Sequence, residues 1–71
     1  MGILEESYTE LRRRPLSANP ADDYLDVVLF MHNDEQGRYA TALYNAQRRG
    51  FFSGHYDLSY EAALKDFQER R

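Results

Sequence analysis

Cysteine is absent from the chain, so neither disulfides nor thiolate zinc sites can staple a core, which excludes the construction of small secreted domains. A reducing, cytoplasmic setting is the expectation. Long apolar runs are also missing. The longest, Val27-Val28-Leu29-Phe30-Met31, falls far short of the roughly 20 residues a membrane-spanning helix needs, and no membrane association is expected. The opening Met1-Gly2-Ile3-Leu4-Glu5-Glu6 carries acids where a secretory leader would carry bases and a long apolar stretch. Glu6 stands where an N-myristoylation signal would place Ser or Thr.

The usual signatures of catalysis are lacking as well. There is no G-x-S-x-G nucleophile motif and no glycine-rich phosphate loop, and the four serines fall where caps and turns account for them. His32 with Glu35, and His55 with Asp57, are the nearest approach to a ligand or proton-transfer pair. Neither supplies the three or four ligands of a usable metal site. We therefore expect no catalytic residue, no metal ligand and no cofactor. A small metal-dependent enzyme or enzyme subunit stands only as a further alternative. Lysine is nearly absent too: eight of the nine basic residues are arginine, the exception being Lys65.

What is present is a single domain, residues 1–71, with net charge −3. A chain this short buries only about 60% of the surface it exposes when unfolded. The charges are unevenly placed. Residues 20–35 hold Asp22, Asp23, Asp26, Asp34 and Glu35 without a base, whereas residues 36–50 hold Arg38, Arg48 and Arg49 without an acid. Adjacent acidic and basic surfaces suit mutual packing or a charged partner.

Hydrophobic spacing predicts an all-α fold, a compact bundle of four short helices at about 2–13, 20–32, 34–49 and 59–71. Leu4, Tyr8 and Leu11 form one helical stripe ending at Arg12-Arg13-Arg14-Pro15. Asn19-Pro20-Ala21-Asp22-Asp23 reads as an N-cap, a first-turn proline and two acids, opening a central apolar second helix. A buried strand over Asp26–His32 is the competing reading, because Val-Val-Leu-Phe suits one. Asn33-Asp34-Glu35-Gln36 reads as a further cap, followed by Tyr39, Ala42, Leu43 and Ala46 on one face and Gly50 at the end. Ser59 caps the last helix, whose stripe is Tyr60, Ala63, Leu64 and Phe67. Tyr60–Phe67 slightly resembles the second helix of a tetratricopeptide unit, but the first-helix positions do not match and no second copy exists in the chain, so no repeat array is expected.

Function is read by elimination and from one positive feature. Arg48, Arg49, Phe51, Phe52 and Tyr56 collect the arginine and aromatic types that dominate interface hot spots. They predict a non-catalytic protein-binding module, a small cytosolic regulator, adaptor or mobile-element-encoded inhibitor, that meets its partner through them. Of Phe51 and Phe52, consecutive in an extended connector, one is expected inside and one outside. Homo-oligomerisation is a second expectation, since five large apolar residues in a row are hard to cover with three thin neighbours. The alternative is nucleic-acid binding through a basic helix at 36–49 with stacking rings beside it; the acidic balance of the chain weighs against it.

Overall fold

The computed structural model describes residues 6–70. Over these residues it is a four-stranded antiparallel sheet followed by a helix, and not a four-helix bundle. The strands are β1 (Tyr8–Pro15), β2 (Leu25–His32), β3 (Tyr39–Asn45) and β4 (Gly50–Leu58), followed by helix α1 (Tyr60–Glu69). They lie in the order β1-β2-β3-β4, a simple meander in which each strand turns back beside the last.

The expected central helix is β2, and the competing strand reading is the correct one. Val27, Val28, Leu29 and Phe30 are 0–3% exposed. Burial of Val27–Phe30 is what so apolar a run requires, and a strand achieves it with less cover. Alternate side chains go to opposite faces of a sheet, so two thin layers suffice where a helix would need apolar neighbours all round. On one face Val27 and Leu29 meet Ala63 and Phe67 of α1, with Leu16, Tyr39, Leu43 and Leu58 around them. On the other, Val28 and Phe30 pack with Tyr8, Ala40 and Ala42, bordered by Tyr44 and Phe51. The crowding that suggested self-association is relieved within one chain. Of the run, only Met31 is left 37% exposed.

The second face is covered by curling the sheet. Tyr8 on β1 and Tyr56 on β4 bring their ring centroids to 6.2 Å, although three inter-strand spacings of about 4.8 Å separate their strands. Further edge-to-face contacts, Tyr8–Phe30 at 6.4 Å and Phe30–Phe51 at 5.2 Å, fill the concavity. Ala40 and Ala42, fully buried on the central strand β3, leave room for the rings above them.

The other helix expectations fail for related reasons. Within 2–13, Tyr8 is buried while Leu11 is 41% exposed, so the supposed stripe is split; Leu4 and Glu5, like Arg71 at the far end, lie outside the described residues. Pro15, lacking an N–H, is tolerated at the end of an edge strand. Within 34–49, Asn33–Arg38 is a hairpin loop closed by His32 N–H donating to the Arg38 carbonyl at 2.9 Å, with Gly37 at φ +82°. Asn, Asp and Gly serve helix caps and hairpin turns alike. Asn19 does cap a helical turn, its side chain accepting from Ala21 N–H at 3.0 Å, but that turn is a 3-10 segment of three residues, Pro20–Asp22. The C-terminal helix is present at Tyr60–Glu69, with the Ser59 hydroxyl accepting from Ala62 N–H at 3.1 Å.

The triple arginine ends a strand and not a helix, and it ties the layers together. Arg14 reaches under α1, donating through Nε to the Phe67 carbonyl and through Nη2 to the Arg70 carbonyl, each at 2.8 Å. The helix C-terminus is thus satisfied by a side chain from β1. Arg13 faces the other way, over the Tyr44 ring at 4.7 Å and paired with Glu10 at 2.8 Å and Asp26 at 3.4 Å.

Candidate functional site

The β3–β4 hairpin turns through Ala46–Arg49. The Asn45 carboxamide oxygen accepts from the Gln47 and Arg48 amides at 2.9 and 3.1 Å, folding the turn back on itself. Arg49 completes it at φ +54°, a left-handed conformation that glycine adopts freely and an arginine only at a cost. The left-handed residue is Arg49, and Gly50, expected at the end of a helix, already begins β4.

Beside this turn is an open groove of about 540 Å³, lined by Tyr24, Asn45, Gln47, Arg48, Gly50, Phe51 and Phe52. Tyr24 belongs to the segment after the 3-10 turn and is held there by Ala46 N–H donating to its carbonyl at 2.9 Å. Phe51 and Phe52 point to opposite faces. Phe51, paired across from Tyr44, packs on the concave cluster, whereas Phe52, opposite Leu43, is 43% exposed. Arg48 and Arg49 are exposed, and among the described residues neither guanidinium has an ionic or hydrogen-bonding partner.

Tyr56 is not brought to this groove. It lies at the far end of β4, in a depression of about 360 Å³ lined also by Tyr8, Arg38 and Asp57. Its ring lies over Gly54, where any Cβ would meet the ring 2.5–2.7 Å away. Arg38 is likewise separated from Arg48 and Arg49 by the whole of β3, roughly 20 Å at about 3.3 Å per residue, and its charge is committed. It pairs with Glu35 and Asp57. Their hydrogen bonds hold its pKa above the usual arginine value, and Arg38 in turn holds the Glu35 carboxyl below the usual carboxylate range. The basic helix postulated at 36–49 therefore does not exist.

Both histidines are engaged structurally. His32 Nδ1 accepts from the Asp34 and Glu35 amides at 3.1 and 3.0 Å, so it organises a hairpin loop. His55 Nδ1 lies 2.9 Å from Asp66 Oδ2. That same oxygen takes the Thr41 hydroxyl and, at 3.1 Å, Arg70 Nε. Burial works against the Asp66 charge, but the hydrogen bonds from Thr41, His55 and Arg70 outweigh it and keep its carboxyl below the usual range. The geometry is not that of an activated nucleophile, in which the hydroxyl donates to the histidine and the histidine to the carboxylate. Here hydroxyl and imidazole meet one carboxylate in parallel, and Thr41 is fully buried. Among the described residues no three His, Asp or Glu side chains converge as a metal site, and no helix is long and apolar enough to cross a membrane.

Sequence reasoning thus picked out Arg48, Phe51 and Phe52 of the groove and Arg49 beside Arg48 in the turn, and missed Tyr24, Asn45 and Gln47. Asn45 and Gln47 had a signal in the Asn-x-x-x-x-Gly turn. Tyr24 had none, because only the folded sheet brings residue 24 beside residue 46. Comparison of the chain with known protein families, curated proteins and solved structures finds no match.

Proposed function

We propose that this protein is a non-catalytic binding module of regulator or adaptor type, acting in the cytoplasm, that meets a protein partner with the tip of its β3–β4 hairpin. The observation that carries the reading is the groove itself. Exposed Phe52 and Arg48 line a concavity of about 540 Å³, within the range of ligand-binding clefts, and Arg49 follows Arg48 in the turn; neither guanidinium has a partner among the described residues. Arginine and aromatic side chains are the types that contribute most to binding when a partner removes them from water. The conformation of Arg49 supports the same reading: strained backbone collects at functional sites, and the turn geometry alone would favour glycine there. Nucleic acid is the less favoured partner. Arg38 belongs to the opposite end of the molecule, and the net charge of −3 repels phosphates.

Affinity capture with the intact chain and four variants tests this. Phe52→Ala and Arg48→Glu should lose the captured partner with thermal midpoints close to wild type, while Arg12→Glu, an exposed cation on β1, should retain it. Arg49→Gly should stabilise by about 1 kcal/mol, raising Tm by roughly 4–8 °C, and weaken capture. Retention of the partner by Phe52→Ala and Arg48→Glu alike rules the hairpin out.

A further inference from the structure

We infer that the groove takes a short acidic peptide segment, one in which Asp or Glu flanks an aromatic or aliphatic side chain. The inference rests on the protein-binding reading above and adds the chemistry of the partner. Its first support is the charge of the lining: Arg48 is the one ionised group there, with no carboxylate facing it. Four other arginines are used internally. Arg13 is spent on Glu10 and Asp26, Arg14 on helix carbonyls, Arg38 on Glu35 and Asp57, and Arg70 on Asp66 and the Ser53 carbonyl. At the hairpin tip Arg48 and Arg49 stand adjacent and unneutralised among the described residues, and guanidinium forks match carboxylates in shape and donor number.

The second support is the wall beside Arg48. Tyr24 and Phe52 offer ring surface, and the Asn45 and Gln47 side chains add amide groups at the rim. An apolar side chain between two acids would place its ring or methyls against Phe52 while its neighbours meet the arginines. The third is the strand edge. β4 pairs only with β3, so its outer edge is open to an added strand. Its pairing register slips twice above Phe52, with Ser53 and Asp57 at positive φ, and Arg70 occupies the Ser53 carbonyl. Such bulges and covers block strand addition. Gly50–Phe52 is the part of the edge that keeps a regular register, and it borders the groove. The occupant is therefore short. A nucleic-acid strand would bring a phosphate with every nucleotide and needs a track of cations; two adjacent arginines on a chain of net charge −3 do not make one.

The test is an NMR titration of the intact 15N-labelled chain with end-blocked peptides identical except at the two positions flanking a central Phe. These carry Asp-Phe-Asp, Asn-Phe-Asn or Lys-Phe-Lys, and a thymidine hexanucleotide serves as the nucleic-acid probe. The Asp-Phe-Asp peptide should shift the amides of Tyr24 and Gln47–Phe52, bind about tenfold more tightly than its Asn counterpart, and weaken as salt rises. Arg48→Glu with Arg49→Glu, its fold verified by unchanged amide dispersion elsewhere, should cancel the preference for Asp over Asn. Equal binding of the Asn and Asp peptides at these amides overturns the acidic specificity and leaves the groove as a peptide site. Stronger shifts with the hexanucleotide, or shifts by no peptide at these amides, overturn both this inference and the protein-binding reading.

Discussion

At the scale of the residue, Asp66 shows how one side chain joins two layers. Its Oδ2 collects donors from β3, from β4 and from the end of α1, so its loss loosens the helix from both strands at once. Asp66→Asn should cost about 2 kcal/mol, since hydrogen bonds to a charged acceptor contribute more than neutral ones, and should lower Tm by roughly 8–16 °C. The pH dependence has a definite sign. The folded pKa is depressed, so this contribution is fully present above the unfolded value near 3.9 and is lost as pH falls through the lower folded value. Thermal melts across the acid range should show a shallower fall for Asp66→Asn than for wild type. An equal or steeper fall would place the acid sensitivity elsewhere. Asp66 was legible in the sequence only as a helix-surface acid, because its partners Thr41 and His55 come from strands that the helical reading did not contain.

At the scale of the element, the decisive segment is β2. Two periodicities compete in a short run that is apolar throughout, and neither period is visible when every position is filled. The Asn19-Pro20 cap was a true local signal, yet it opened a single 3-10 turn; the β-branched and aromatic run after it then extended. The β3 segment misled in the same way, since Tyr39, Ala42, Leu43 and Ala46 satisfy a helical spacing while Ala40, Ala42 and Tyr44 satisfy a strand. Ser59 with Tyr60, Ala63, Leu64 and Phe67 was legible because its exposed positions are polar, which leaves one period standing. The sheet reading predicts a sharp contrast on one face of β2. Leu29→Ala, beneath α1, should cost about 2–5 kcal/mol in denaturant unfolding, whereas Met31→Ala, two residues along and 37% exposed, should cost under about 1 kcal/mol. Comparable losses at both positions would contradict the packing of α1 over Leu29 and not over Met31.

At the scale of the whole molecule, a small sheet without disulfides keeps two cores by placing a helix on one face and curling its own aromatics over the other. That arrangement takes up the large apolar run and leaves the hairpin tip free to carry Arg48, Arg49 and Phe52. On the proposed reading, stability and recognition are located in different places, and the residue types of the candidate site could be read from sequence while its shape, which depends on Tyr24 meeting the hairpin, could not. Residue-resolved amide hydrogen exchange on the intact chain tests this division most directly. The amides of Val27–Phe30 and Ala40–Ala42, on the two inner strands, should exchange slowest, through global opening, and those of the exposed turn Gln47–Arg49, held at most by a side chain, much faster. Protection at the hairpin tip equal to that of β2, or an exchange pattern over residues 20–32 that follows helical and not cross-strand hydrogen bonds, would contradict the account.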